Sequence, residues 1–210
     1  MNPTLLSVQT GRVAPLGPEE VPSGIVKTAR AGAVTVGPLG LDGDEQADLE
    51  MHGGPEKAVY AYAAAHFPDW AARFPHLAFA GGAMGENLTV SGLEEKDICV
   101  GDVHAIGTAL LQVCQPRQPC FKFNLLHDDL VSSAMVRSFQ SGWYYRVLAP
   151  GALSAGDVVT LQARPNPDFS FSRLVEIVYR KRGARADLIR MTEMEGLASQ
   201  WRKRARLMLG

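Results

Sequence analysis

The sequence predicts a mainly β domain, a closed or nearly closed β-barrel with inserted helices, followed by a small domain of three helices. Three observations predict it. Up to Gln162 the apolar residues fall in short runs punctuated by Gly and Pro, as many short strands require. Within these runs side chains alternate, as in Val103 and Ala105 against His104 and Ile106, so each strand offers two different faces. Beyond Pro165 and Pro167 the period changes, and Phe171, Leu174, Val175 and Val178 follow the three-and-four spacing of a helix face.

Taken in order, the expected strands are Leu5 to Arg12, Ile25 to Ala29, Ala33 to Val36, Ala58 to Ala63 and Leu88 to Val90. Four more follow at Asp102 to Ile106, Ala109 to Cys114, Trp143 to Leu148 and Asp157 to Leu161. Gly101-Asp102 and Gly107-Thr108 supply two-residue turns that join neighbouring strands into a meander. A first inserted helix spans His66 to Phe74, with Phe67, Trp70, Ala71 and Phe74 on one face. Asp128 or Asp129 caps a second, whose stripe is Leu130, Ala134 and Met135 and which ends near Phe139. The prolines of Ala163 to Asp168 mark a linker, dividing a barrel domain over 1–163 from a helical domain over 168–210. Ser170 caps the first terminal helix, and Ala186 to Met194 and Ser199 to Leu209 form the other two. Some forty residues bury too little surface to stand alone, so these helices dock on the barrel.

Composition narrows the function. The 210 residues are 46% apolar and 20% charged, which excludes wholesale disorder. A net charge of −1 argues against a dedicated nucleic-acid binder, yet residues 168–210 hold ten Lys/Arg against five Asp/Glu, leaving −6 elsewhere. A solvated cationic helix face accounts for that asymmetry. Cys99, Cys114 and Cys120 form neither a disulfide framework nor a Cys-x-x-Cys zinc pair, and reduced thiols fit a cytoplasmic protein. No signal-peptide pattern and no membrane-length apolar stretch occurs.

The chemistry concentrates in Gln115-Pro116-Arg117-Gln118-Pro119-Cys120, where two prolines hold a guanidinium and a thiol in a short loop after an apolar run. The thiol is either presented for attack or metal binding, favoured as thiolate by Arg117, or a small buried hydrophobe. Cys99 and Cys114 lie in or beside apolar strands and read as core. Gly53 and Gly54, after His52, allow close backbone approach to an anion with Lys57 supplying charge, or make a plain turn. His52 is a turn residue or a proton donor. The acids Asp42, Asp44 and Glu45 lack the offsets of a calcium loop. Nucleophile-elbow and dinucleotide-binding glycine patterns are absent, so an intrinsic flavin or nicotinamide site has no support.

The blocks Leu39 to Asp48, His52 to Val59, Gly85 to Leu93, Val100 to Val103 and the proline-flanked Cys120, in that order, resemble the YiiM-like branch of the MOSC family, domains related to the C-terminal part of molybdenum-cofactor sulfurases. The resemblance runs from about residue 5 to the C-terminus and covers the three-helix appendage. It implies that Cys120 is the thiolate ligand of molybdenum in the pterin cofactor. Lys57, Arg117, Asn87, Gly53 and Gly54 then become candidate cofactor contacts and His52 a candidate proton donor. The implied activity is reduction of N-hydroxylated compounds, above all hydroxylaminopurine bases, as a detoxification, with a flavoprotein reductase as electron donor. The rival expectation is a carrier in which Cys120 holds a persulfide or passes on sulfurated cofactor without turnover.

Overall fold

The computed structural model describes residues 2–210. Thirteen strands and six α-helices follow one another, beginning with β1 (Thr4–Thr10), β2 (Ala14–Leu16), β3 (Val21–Ser23), β4 (Thr28–Ala29), β5 (Val34–Gly37) and β6 (Gly40–Leu41). The central elements are β7 (Val59–Ala63), α1 (Phe67–Arg73), β8 (Leu88–Ser91), β9 (Val103–Ile106), β10 (Ala109–Pro116), α2 (Phe121–Leu126) and α3 (Asp129–Ser138). The chain ends with β11 (Trp143–Ala149), β12 (Gly151–Leu153), β13 (Val159–Ala163), α4 (Phe171–Arg180), α5 (Arg185–Met191) and α6 (Ser199–Leu209).

Eight strands form one sheet in the order β13-β9-β10-β11-β7-β8-β1-β4, antiparallel except for β7 and β8. The parallel pair is possible because α1 and the loop after it carry the chain back between them. Its centre, β7, is buried on both faces, which is why Val59-Tyr60-Ala61-Tyr62-Ala63 shows no polar alternation. The sequence predicts a closed or nearly closed barrel, and a closed one is not found. At the seam, Leu5 N donates to Asp157 O (2.9 Å), Val159 N donates to Pro3 O (2.8 Å), and Thr4 and Val158 make one isolated bridge. No ladder extends from there. The outer edge of β13 stays exposed from Thr160 to Ala163, while β1 pairs along its length with β8 and β4, so the sheet curls until its ends touch without pairing along them.

Local chemistry explains several other departures. Gly107-Thr108 joins β9 to β10 as expected, with Gly107 at φ +57°. Gly101-Asp102 does not join two strands. It turns the chain into β9, and buried Asp102 accepts from Cys99 N and pairs with Arg164. Of the expected strand Ile25 to Ala29, only Thr28–Ala29 pairs, because residues just before it line a cleft instead of joining the sheet. In α3 Asp128 is the cap, accepting from Val131 N (2.9 Å), but Leu130 is 65% exposed and Val131 takes the buried place assigned to it. Ala71 of α1 likewise faces outward, while Trp70 and Phe74 are buried.

Phe171, Leu174, Val175 and Val178 are all buried, and Ser170 caps α4 as expected. They belong to the same apolar core as the sheet's Leu111, Val113 and Trp143. The Ala163 to Asp168 segment is tied down: Arg164 grips Asp102, and Asn166 donates to Val100 O (2.8 Å) and Glu195 O (2.9 Å). A second core of Tyr60, Tyr62, Trp70, Met84, Phe123 and Met135 lies under the inserted helices and backs the cleft.

Candidate functional site

The site begins where β10 runs out. Pro116 still pairs with Trp143, and Tyr179 of α4 donates to Arg117 O (2.6 Å), so the backbone is pinned on both sides as it leaves the sheet. Cys120, extended at φ −123°, then caps α2. That helix is not expected from the sequence, since Pro119 suggests a loop. It matters for the site, because its first turn fixes the Cys120 backbone, with Phe123 N donating to Cys120 O (2.9 Å), while the thiol stays on the cleft.

Around Cys120 opens a cleft, partly open to solvent. His52, Lys57, Asn87, Arg117 and Cys120 all line it, although they come from separate turns and strand ends. Gly53 and Gly54 do not reach the lining and shape the turn that delivers Lys57. A side chain at Gly53 would run into Leu49 O at 2.8 Å, and Gly54 sits at φ +88°. Asp44 and Glu45 stand at the edge, whereas Asp42 does not contribute.

The cleft also gathers residues that sequence reasoning missed: Lys27, Lys122, Tyr60 and Tyr144. Lys27 lies in a segment without period and is paired with Asp44, their side chains only 7% and 3% exposed. The tyrosines are strand residues, 5.0 Å apart between ring centroids. No signal in the sequence separates them from their buried neighbours.

Cations dominate this cleft. Arg117 is buried, with its guanidinium 4.8 Å from the Tyr60 ring centroid and 5.3 Å from that of Phe123. Its Nε is buried without a hydrogen-bond partner. Burial works against the Arg117 charge, but the neighbouring phenols and the Cys120 thiol leave its pKa raised. Burial pulls Lys27 and Lys57 below the usual lysine value, with Asp44 and Asp48 respectively opposing it. For Cys120 burial pushes the thiol up. Bonding to the His52 side chain and the Arg117 charge outweigh it, and the pKa falls to about 7.

Not every candidate is free to act. Asn87 Oδ1 accepts from Tyr60 N (3.0 Å), and its amide donates to Gln9 O (3.3 Å), so most of that side chain holds β7 against β1. Asn124, at the end of α2, accepts from Ser132 of α3 and so joins these two helices. Glu86 is fully buried and accepts from Gly82 N, Met84 N and Thr89 Oγ1, which fixes the loop carrying Gly85.

A soft thiol in a cleft with a guanidinium, three lysines and an imidazole suits an anionic ligand carrying a soft metal. The orphaned Arg117 Nε and the bare backbone at Gly85 fit that assignment. A Cβ on Gly85 would stand 2.8 Å from Ile25 Cγ1 and 3.4 Å from the Arg117 guanidinium, narrowing the cleft at its floor. Comparison with known proteins agrees with the chemistry. Residues 48–160, more than half of the chain, match the MOSC domain. Protein YiiM of Escherichia coli (strain K12) is 36% identical over 200 residues, covering 93% of this chain and 88% of that protein. The crystal structure of YiiM from Geobacillus stearothermophilus superposes with a TM-score of 0.84 at 32% identity, covering 99% of this chain and 100% of that one. A protein of Gibberella moniliformis (strain M3125 / FGSC 7600) named "Reductase" is 37% identical over 180 residues, covering 83% of this chain and 32% of its own length. The chain belongs to the MOSC family, in its YiiM-like branch. Among the described residues, no helix is long and apolar enough to cross a membrane.

Proposed function

We propose that this protein is a molybdenum-cofactor-dependent reductase of N-hydroxylated compounds, with hydroxylaminopurine bases as the foremost substrates and detoxification as the role. The observation that carries the reading is geometric: the Cys120 thiol shares one cleft with Arg117, Lys57 and His52. Family membership and the Gibberella relative named "Reductase" support it.

Arg117 and Lys57 would hold the anionic part of the cofactor, Arg117 through its planar fork and Lys57 as a point charge. Cys120 offers its thiolate as the soft protein ligand. When bound, the cofactor supplies the electron pair that breaks an N–O bond. Two electrons and two protons convert R–NHOH to R–NH2 and water, and His52 beside Cys120 delivers a proton to the departing oxygen. The electrons come from a flavoprotein reductase.

The test is molybdenum content beside turnover with a reduced dye, for protein made in a cofactor-competent host. Metal retention with reduction of an N-hydroxylated base supports the enzyme. A carrier is the second reading, favoured by the same low thiol pKa, which suits sulfur transfer. Cyanide-labile sulfur on Cys120 without molybdenum or turnover would replace the reductase by that carrier.

A further inference from the structure

The turn that carries His52 and Lys57 into the cleft has little apolar packing to hold it there. None of the residues 48–57 is buried, and Leu49 and Met51 are exposed. Internal bonds give the turn its shape: His52 N donates to Asp48 O (2.9 Å), Met51 N to Asp48 Oδ1 (2.9 Å), Lys57 N to Gly54 O (3.0 Å) and Lys57 Nζ to Met51 O (2.5 Å). Apart from the bond between His52 and Cys120, every hydrogen bond that leaves this segment, among the described residues, runs through Glu56.

Glu56 grips on two sides. Its carbonyl accepts from Gln115 Nε2 (2.7 Å), near the end of β10. Its carboxylate reaches the C-terminal helices: Oε2 accepts from Ser199 Oγ (2.7 Å), both oxygens accept from Ser199 N (2.9 Å), and Oε1 pairs with Arg146 Nη2 (2.8 Å). Ser199 opens α6, so a residue 143 positions earlier satisfies one of the free N–H groups at the start of that helix. Arg146 is itself held by Gln112 Oε1 (2.9 Å) and Gly196 O (3.1 Å), which makes it a fixed partner.

We propose that Glu56 is a positioning residue, which fastens the cleft turn to α6 and Arg146 and so holds His52 against Cys120 and Lys57 on the cleft. The inference rests on the reading of the cleft as the reductase site. It gives the terminal helices a task in that site, although none of their residues lines the cleft.

Two variants unfasten the clasp from opposite ends. Glu56→Ala removes the carboxylate. Ser199→Pro removes the N–H and the hydroxyl that it binds, at a first helical position that suits proline and after an Ala198 already extended (φ −60°, ψ 144°). Hydrogen exchange on cofactor-free protein, read by peptide mass spectrometry, reports the hold on the turn. In Glu56→Ala the peptide over 48–57 exchanges at least tenfold faster, and in Ser199→Pro at least threefold faster, because Arg146 stays. Glu56→Gln, which still accepts from Ser199 N, remains within threefold of wild type. Peptides over β9 and α4 keep wild-type rates in all three. In holoenzyme, turnover with reduced viologen per bound molybdenum falls in the same order, most in Glu56→Ala and least in Glu56→Gln.

Unchanged exchange over 48–57 in both Glu56→Ala and Ser199→Pro overturns the proposal. Faster exchange confined to α6 also overturns it and leaves Glu56 a helix cap, and faster exchange spread evenly over the chain leaves it a stabiliser of the fold. Loosening of the turn with undiminished turnover removes the positioning role as well. A wild type without turnover removes the reductase reading, and exchange alone then decides whether Glu56 holds the turn.

Discussion

Cys114 and Cys120 stand six positions apart on the same stretch of chain, and the fold makes them opposites. Cys114 is within β10, fully buried, with its Sγ against Glu56 O (3.1 Å) and Tyr144 O (3.4 Å), and burial pushes its thiol up to about 12. Cys120 is past the strand end, half-buried at the cap of α2, and its thiol is drawn down to about 7 by His52 and Arg117 despite burial. The difference teaches that thiol chemistry here is set by where the strand stops. Pro116 is the last residue paired to β11, and the chain beyond it is free to turn towards the cleft.

The largest expected contrast is in reactivity. On cofactor-free protein at pH 7, Cys120 is about half ionised and Cys114 almost wholly protonated, so iodoacetamide should label Cys120 faster on the order of a thousandfold or more. Peptide mass spectrometry over a pH series reads it, with a Cys120 midpoint near 7 expected. Equal labelling would dissolve the comparison. Arg117→Ala comes next. A charge-assisted bond is worth about 1.5–3 kcal/mol, so cofactor retention on dialysis should weaken roughly ten- to hundred-fold while the Cys120 midpoint rises.

A smaller effect comes from linkage. The ordinary value of the thiol is 9, and the folded one is about 7. The folded state therefore gains from Cys120 ionisation, fully above pH 9, and loses that gain as pH falls through 7. The Tm gap between wild type and Cys120→Ser should widen from pH 6.5 to pH 9, and a flat gap would deny the shift. The smallest effect belongs to Cys114→Ser, which should cost roughly 0.5–3 kcal/mol of stability in denaturant titration and leave turnover in place.

Sequence periodicity identifies the strands around Cys114 well, because alternation and Gly/Pro punctuation are local. The C-terminal helices are equally legible, since Phe171, Leu174, Val175 and Val178 keep a strict helical spacing and Ser170 caps it. The rest depends on tertiary structure. Closure of the sheet is a property of its first and last strands, far apart in sequence, and no local pattern near Thr4 or Val158 specifies whether they pair beyond one bridge. Helix α2 is hidden behind Pro119 because a proline can precede a helix as well as end one. At the site, motif residues such as His52 and Arg117 can be named from their glycine and proline settings. Lys27 and Tyr60 cannot, since a lysine without period and a tyrosine in a fully buried strand become cleft residues only when the chain folds around them.

The central claim is that Cys120, and not Cys114, is the protein ligand of molybdenum. Molybdenum X-ray absorption on holoenzyme reads it directly. The account predicts that Cys120→Ser loses one sulfur from the metal shell together with reduction of N-hydroxylated substrates, whereas Cys114→Ser keeps both. An unchanged sulfur count and unchanged turnover in Cys120→Ser would contradict it.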